Sequence, residues 1–175
     1  MKELIQLFTQ IALLRRGPQD LPASAFLMWM SVVGYFAINF LVSSLMPPVD
    51  GWQGHLAVDV VFNLVWFVAL LRFTGRSERI LQTTTAVFGF QAVLAPLLVV
   101  SDGLVVRFAR DPTWQLPAVL IWLIFFIWVV AATGQVVKVA LEWSGPASIS
   151  LVILQILAEW MLLFALFPPP PGTSA

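Results

Sequence analysis

The chain has 175 residues, of which 60% are apolar and 10% are charged, and its formal net charge is zero. Soluble domains carry about 45–50% apolar and about 25% charged residues, so a globule of this size could not bury so many apolar side chains. The neutral balance excludes a basic field, and we predict no nucleic-acid partner. With no cysteine and a single histidine, the sequence predicts no metal site, no cofactor and no enzymatic activity.

The first segment, residues 1–16, has the pattern of an amphipathic helix over residues 2–14, with apolar and polar residues on opposite halves of the wheel. It is too polar to span a membrane. We expect it either to lie along the membrane surface, with Arg15 and Arg16 facing lipid headgroups, or to pack on the cytoplasmic end of a helical bundle. Residues 17–24 hold two prolines and a glycine, and this linker ends the helix.

Residues 25–167 contain five long apolar stretches, each near the ~20 residues that cross ~30 Å of hydrocarbon. We therefore predict an all-α polytopic membrane bundle of about five transmembrane helices. Short connections should make sequence neighbours antiparallel neighbours in space. We expect the proline-rich residues 168–175 to form an exterior tail. The predicted spans are residues 25–46, 55–72, 80–101, 116–137 and 147–167.

Two residues of the third span bear on packing. Gly89 lacks a side chain and would let another helix approach closely. Pro96 removes a backbone hydrogen bond and should kink the helix. We expect both to serve packing within the bundle rather than a hinge.

Basic residues predict the orientation. If the N-terminus is inside, seven of the nine lysines and arginines lie on the cytoplasmic side, and only Arg107 and Arg110 lie outside. The positive-inside rule therefore favours a cytoplasmic N-terminus and an external C-terminus. We predict a multi-pass protein of the cell inner (plasma) membrane.

Two carboxylates interrupt the predicted spans, Asp59 in the second and Glu159 in the fifth, and no other carboxylate lies within the predicted boundaries. Each costs roughly 2.5–3.5 kcal/mol at a helix centre on insertion scales. Each also shares a helical stripe with amide side chains spaced four residues apart. We predict a buried polar network with the following members: Asn39, His55, Asp59, Asn63, Gln91, Gln155 and Glu159.

The network has two interpretations. Polar side chains hold transmembrane helices together, each pair contributing about 0.6–2 kcal/mol. Buried carboxylates also carry protons or cations, and then Asp59 and Glu159 would be the carriers. A zinc site at His55 and Asp59 is less expected, because zinc usually takes three or four ligands richer in nitrogen or sulfur.

Short loops and the lack of a catalytic motif favour a non-enzymatic membrane scaffold or assembly protein that acts through lateral helix contacts and a basic cytoplasmic face. Such a face attracts anionic headgroups at about 1 kcal/mol per basic residue. The alternative is a small proton- or cation-coupled transporter or channel that uses the two buried carboxylates. The predicted partners are the lipid bilayer and other membrane proteins or further copies of the chain. The basic face consists of Arg15, Arg16, Arg72, Arg76 and Arg79.

Residues 75–83 read Gly-Arg-Ser-Glu-Arg-Ile-Leu-Gln-Thr, and the helix that follows runs to Ala95-Pro96. This segment resembles the glycine-and-basic loop and third helix of the Yip family, five-helix membrane proteins named for interacting with Rab-type GTPases and also found in bacteria. Residues 13–22, Leu-Leu-Arg-Arg-Gly-Pro-Gln-Asp-Leu-Pro, are similar to the start of a proteobacterial inner-membrane branch. The resemblance implies a five-helix membrane fold and provides no catalytic residues.

A fluorescent reporter that matures only in the cytoplasm tests the predicted orientation. Fused after Ala175, it should stay dark, whereas the same reporter placed before Met1 should fluoresce. Fluorescence from the fusion after Ala175 would contradict the predicted topology.

Overall fold

The computed structural model describes residues 2–46 and 51–168. Within these ranges the chain is helical and has no strand, and five of its helices are long and apolar enough to cross a membrane. The predicted polytopic helical bundle is therefore confirmed, and the chain is a multi-pass membrane protein. The helices are α1 (Lys2–Ala12), α2 (Ala25–Ser44), α3 (Trp52–Phe73), α4 (Ile80–Arg107), α5 (Gln115–Leu141) and α6 (Gly145–Leu166).

Several helices extend beyond the predicted apolar spans. The α4 helix continues past Ser101 to Arg107, and α5 continues past Val137 to Leu141. Backbone hydrogen bonding does not stop where polar residues begin, so hydropathy alone places these ends too early. The α5 helix ends at Glu142, whose positive φ of 59° leaves the helical conformation. The prolines at 47–48 and residues 169–175 of the predicted tail lie outside the described residues.

The five long helices form a ring in the order α2, α3, α6, α5 and α4, and α4 closes it by packing on α2. Among these five, helices adjacent in sequence also contact each other. The central element is α4, which contacts α1, α2, α3 and α5. Every residue of α4 from Thr83 to Phe90 is buried. This stretch therefore faces protein on all sides rather than lipid.

The bundle has two ends, which we name after residues at each. At the Trp52 end, α2, α4 and α6 finish and α3 and α5 begin; Phe167, just after α6, lies against His55 near the start of α3. At the Arg79 end, α4 begins and α5 finishes. There the Arg79 guanidinium donates to the carbonyl oxygens of Val139 and Ala140 at 2.8 and 3.1 Å, satisfying acceptors in the last turn of α5.

Glu142 completes this helix end. Its carboxylate accepts hydrogen bonds from both Arg76 and Arg79 at 2.5 Å. These two guanidinium groups hold the pKa of Glu142 below its ordinary value. The loop that joins α3 to α4 is thereby tied to the end of α5 by charge-assisted hydrogen bonds.

The N-terminal helix α1 packs on the bundle, against α4 and α5. Its predicted position at the cytoplasmic end stays a prediction. Its apolar face buries Phe8 and Ile11 against α4 and α5, whereas Glu3 and Gln6 are exposed. The indole Nε1 of Trp128 in α5 donates to the carbonyl oxygen that ends the helix, that of Ala12, at 2.6 Å. The amphipathic pattern thus decides which face meets the bundle.

Close packing of α1 depends on Gly89. A Cβ atom at this position would overlap the ring of Phe8. The sequence-based expectation that Gly89 permits a close helix approach is met here by α1. The linker is fixed nearby, because the side-chain amide of Gln82 donates to the carbonyl oxygen of Leu21 at 2.7 Å.

Substitution of Gly89 by alanine tests whether the missing side chain at this position is needed for packing. A glycine-to-alanine change elsewhere in a helix controls for the effect of helix propensity on the free energy of unfolding. At Gly34 in α2 a Cβ would meet nothing within 4 Å, so Gly34→Ala is the matched control. We expect Gly89→Ala to lower the free energy of unfolding by about 1–3 kcal/mol, the usual cost of overpacking. Gly34→Ala should leave it unchanged or raise it by up to about 1 kcal/mol.

Reversible unfolding in mixed detergent micelles, monitored by circular dichroism, measures the free energy of unfolding of each variant. Equal effects of the two substitutions would contradict the docking of Phe8 on Gly89.

Candidate functional site

The site begins with two helical stripes that face each other. Asp59 and Asn63 lie one turn apart on α3, and Gln155 and Glu159 lie one turn apart on α6. The side-chain amide of Asn63 donates to Asp59 Oδ1 at 3.0 Å and to Glu159 Oε2 at 3.3 Å. In return, Asn63 Oδ1 accepts a hydrogen bond of 2.7 Å from the amide of Gln155. The structure thus brings four of the seven predicted network residues into one hydrogen-bonded group.

A fifth member comes from α2. The hydroxyl group of Tyr35 donates to Asp59 Oδ2 at 2.8 Å, so both carboxylate oxygens of Asp59 have donors. The network therefore joins α2, α3 and α6. Asp59 is seven residues from the start of α3, and Glu159 is seven residues from the end of α6. At 1.5 Å per residue, both carboxyl groups lie about 10 Å inside the Trp52 end.

Hydrogen-bond donors are scarce in this network. The amide of Asn63 has two N–H groups but contacts three acceptors: both carboxylates and the carbonyl oxygen of Asp59 at 2.9 Å. Among the described residues, no donor reaches the second oxygen of Glu159, Oε1. The Oε1 of Gln155 also lacks a donor there, although this residue is only 4% exposed. The network therefore holds two acceptor atoms without hydrogen-bond donors.

The charges of the two carboxyl groups are coupled. Asp59 and Glu159 are hydrogen-bonded to the same nitrogen of Asn63, at 3.0 and 3.3 Å. No lysine or arginine pairs with either in the described part of the chain; the ion pairs found there belong to Glu142. Two adjacent carboxylates repel strongly in an environment of low dielectric constant. A proton or another cation between them removes this repulsion and supplies the missing partner of Glu159.

A cavity of about 370 Å³, which we call the acidic cavity, connects this pair with the Trp52 end. Three carboxylate side chains line it, those of Asp59, Asp102 and Glu159. Asp102 comes from the part of α4 beyond the predicted span, and it is exposed. The other described lining residues are Tyr35, Asn39, Ser43, Met46, Trp52, His55, Leu56, Val99, Gly103, Val106 and Leu163.

A second cavity of about 230 Å³ lies on the other side of the pair, and we call it the amide cavity. Asn63, Gln91 and Gln155 line it, together with apolar residues of α4, α5 and α6. Asp59 and Glu159 line both cavities. The carboxylate pair therefore stands between a space that reaches the Trp52 end and a space deeper in the bundle.

Three predicted network residues make no hydrogen bond to the carboxylate pair. Asn39 donates to the carbonyl oxygen of Tyr35 in its own helix, at 2.9 Å. The ring of His55 packs against Phe167, with the ring centroids 4.4 Å apart. Gln91 lines the amide cavity but bonds to no described network residue. In the described ranges, no three His, Asp or Glu side chains are grouped as a metal site would require.

The predicted basic face is divided by the fold. Arg76 and Arg79 pair with Glu142, whereas Arg15, Arg16 and Arg72 are exposed. Less of this face is therefore free for an external partner than the sequence suggests.

Sequence reasoning missed two residues of the site, Tyr35 and Asp102. Tyr35 lies one turn before Asn39 and is the only tyrosine in the chain. A lone phenolic hydroxyl within an apolar span requires a hydrogen-bond partner, and that requirement is a usable signal. Asp102 was missed because the predicted helix ended at Ser101.

Comparison of the chain with protein-family models, with curated proteins and with solved structures gave no match.

Asn63 should contribute more to stability than an amide that bonds only its own helix. We expect Asn63→Leu to lower the free energy of unfolding by about 1–3 kcal/mol, because it removes the described partner of Glu159 and of the Gln155 amide and leaves Asp59 with Tyr35 alone. Asn39→Leu is the matched control, since it removes one bond to a backbone carbonyl oxygen and should cost about 0.6 kcal/mol. Unfolding in mixed micelles measures both, and equal losses would contradict the central position of Asn63.

Proposed function

We propose that this protein binds a proton or a small cation at the Asp59–Glu159 pair and moves it within the membrane, as a small cation-coupled transporter or channel. One observation carries the proposal. A single amide, that of Asn63, holds two carboxylates together, and no described donor reaches Glu159 Oε1 beside the acidic cavity.

A purely structural network would be built differently. Networks that only join helices stabilise them when every member is satisfied, and a partly satisfied network costs stability. Here Gln155 Oε1 is buried without a described donor, and the one bond described for Glu159 ends on Oε2. Cavities adjoin both residues. Unpaired acceptors beside open space are typical of a binding site.

The proposed cation path is open toward the Trp52 end of the bundle and closed beyond the amide cavity. The acidic cavity extends from the carboxylate pair to the Trp52 end, which faces outward in the proposed inner-membrane orientation. Beyond the amide cavity, the buried stretch of α4 from Thr83 to Phe90 fills the bundle. Passage to the other side therefore requires a shift of α4 or contributions from further copies of the chain. The protein is small for a transporter, and a homo-oligomer is the arrangement we favour.

The second candidate is a membrane scaffold of the Yip-like type. The exposed arginines Arg15, Arg16 and Arg72 favour it, because they can meet anionic headgroups or an acidic partner. The intramembrane carboxylates have no role in this candidate function, and the two functions are therefore separable by substitution.

Flux measurements in vesicles test the proposal. Vesicles that hold the reconstituted wild-type protein and an internal pH-sensitive dye should take up protons faster than vesicles without the protein. For an added cation, a dye that responds to that cation replaces the pH-sensitive one. Glu159→Gln keeps the shape and hydrogen-bonding capacity of the side chain but removes its charge and its titrating proton, so flux should fall to the level of empty vesicles. Asp59→Asn should reduce flux in the same way.

The matched control is Glu78→Gln, which makes the same chemical change at an exposed position of the loop before α4. Its flux should equal that of the wild type. No flux from the wild type, or full flux from both intramembrane variants, would overturn the proposed function.

A further inference from the structure

We infer that the acidic cavity takes a primary ammonium group, that of a small organic amine, with its charged end at Asp59 and Glu159. This inference rests on the proposed function in one respect: both place a cation at this pair. It goes further by naming the chemical class of the cation and the part of the site that holds its organic portion.

The charge of the cavity selects for a cation. Its described lining includes the carboxylates of Asp59, Asp102 and Glu159 and contains neither lysine nor arginine. Asp102 is exposed and lies five residues before the end of α4, about 7.5 Å inside it, whereas the other two lie about 10 Å inside the Trp52 end. A cation that enters the cavity thus meets one exposed carboxylate and two less accessible ones.

Aromatic rings add a second attraction for an organic cation. Tyr35, Trp52 and His55 line the cavity. Each is held by another ring: Tyr35 lies edge-on to Phe88 with centroids 5.4 Å apart, and Trp52 lies 5.0 Å from Phe40. Aromatic side chains that line a cavity attract ammonium groups wherever a ring face is turned toward the ligand.

The size and apolar lining of the cavity favour an organic cation over a bare metal ion as its ligand. Sites for small organic ligands span about 300–1,000 Å³, and this cavity of about 370 Å³ falls within that range. Leu56, Val99 and Leu163 line it beside the charged residues. An inorganic ion would leave this apolar surface without a partner, whereas a short hydrocarbon or aromatic group would cover it.

The unpaired acceptors indicate a primary ammonium rather than a quaternary one. A primary ammonium carries three N–H donors. The one hydrogen bond described for Glu159 ends on Oε2, so its Oε1 has no described donor. Gln155 Oε1 is buried without a described donor, and Gln155 lines the adjoining amide cavity. A primary ammonium in the acidic cavity can donate to Glu159 Oε1, whereas a quaternary ammonium has no N–H group and would leave this oxygen unpaired.

Isothermal titration calorimetry on the full chain in detergent micelles tests the inference. The probes are 2-phenylethylammonium, its neutral analogue 2-phenylethanol, tetramethylammonium and sodium, all at constant ionic strength. We expect saturable binding of 2-phenylethylammonium and none of the other three. Equal binding of 2-phenylethanol would overturn the inference by showing that the ammonium group is not recognised, and equal binding of sodium or tetramethylammonium would overturn the choice of a primary amine.

Variants locate the binding. Glu159→Gln should weaken amine binding by about tenfold or more, the effect of losing a charge-assisted hydrogen bond. Asp102→Asn is the second variant, because its side chain makes no hydrogen bond among the described residues and its loss should leave the fold intact. It should weaken binding by about threefold, with the difference shrinking at high salt. Glu78→Gln should bind as the wild type does. Unchanged affinity in both cavity variants would overturn the inference.

The ammonium group has two natural sources, a free amine and an ethanolamine lipid headgroup. Titration in nanodiscs with and without phosphatidylethanolamine distinguishes them. Loss of binding when the lipid is present assigns the site to the headgroup, and unchanged binding assigns it to a free amine; both outcomes support a primary ammonium site.

The amine test and the flux test fail independently. Flux that depends on Glu159 without amine binding would refute this inference and leave the proposed function standing. Amine binding without any flux would refute the proposed function and leave this inference standing.

Discussion

The bundle depends on one arrangement inside the membrane: an asparagine amide placed between two carboxylates. Each carboxylate alone would cost several kcal/mol in hydrocarbon. Asn63 and Tyr35 lower this cost for Asp59 by supplying donors, but they leave Glu159 with one long hydrogen bond. Because these residues belong to α2, α3 and α6, satisfying the charges requires the three helices to meet at one depth. The acidic cavity and the amide cavity both adjoin Asp59 and Glu159, where these helices meet.

The α4 helix determines where the accessible space stops. Every residue of α4 from Thr83 to Phe90 is buried, and Phe8 of α1 packs directly on Gly89 within this stretch. Toward the Trp52 end, α4 instead lines the acidic cavity with Val99, Asp102 and Val106. The same helix thus fills the bundle over one part of its length and lines the acidic cavity over another. Under the proposed function, a cation enters from the Trp52 end, and transport to the other side requires a shift of α4 or contributions from further copies of the chain.

Much of this fold could be predicted because the membrane imposes simple rules. The lengths of the apolar stretches predicted five membrane-spanning helices. A spacing of four residues predicted that Asp59 and Asn63 share one helix face and that Gln155 and Glu159 share another. The helical period tells which residues share a face, but it does not tell which faces meet. For that reason it could not separate His55, which packs on Phe167, from the residues that bond to the carboxylates.

The remaining differences also have physical causes. Tyr35 was missed because its ring suits an apolar span and its hydroxyl group changes hydropathy little, although it binds Asp59 at 2.8 Å. Asp102 was missed because hydropathy falls before the helix ends, and α4 continues to Arg107. The Yip-like resemblance, the inner-membrane location and the orientation remain predictions from sequence.

The central claim is that Asp59 and Glu159 share one exchangeable cation, which is a proton when nothing else is supplied. Infrared difference spectroscopy on the protein in lipid vesicles, near neutral pH and without amines or metal salts, measures this directly through the carbonyl stretch of a protonated carboxyl group. The account predicts such a band in the wild type, its loss in Glu159→Gln or Asp59→Asn, and its persistence in Glu78→Gln. The absence of the band in the wild type, or its persistence in both intramembrane variants, would contradict the account.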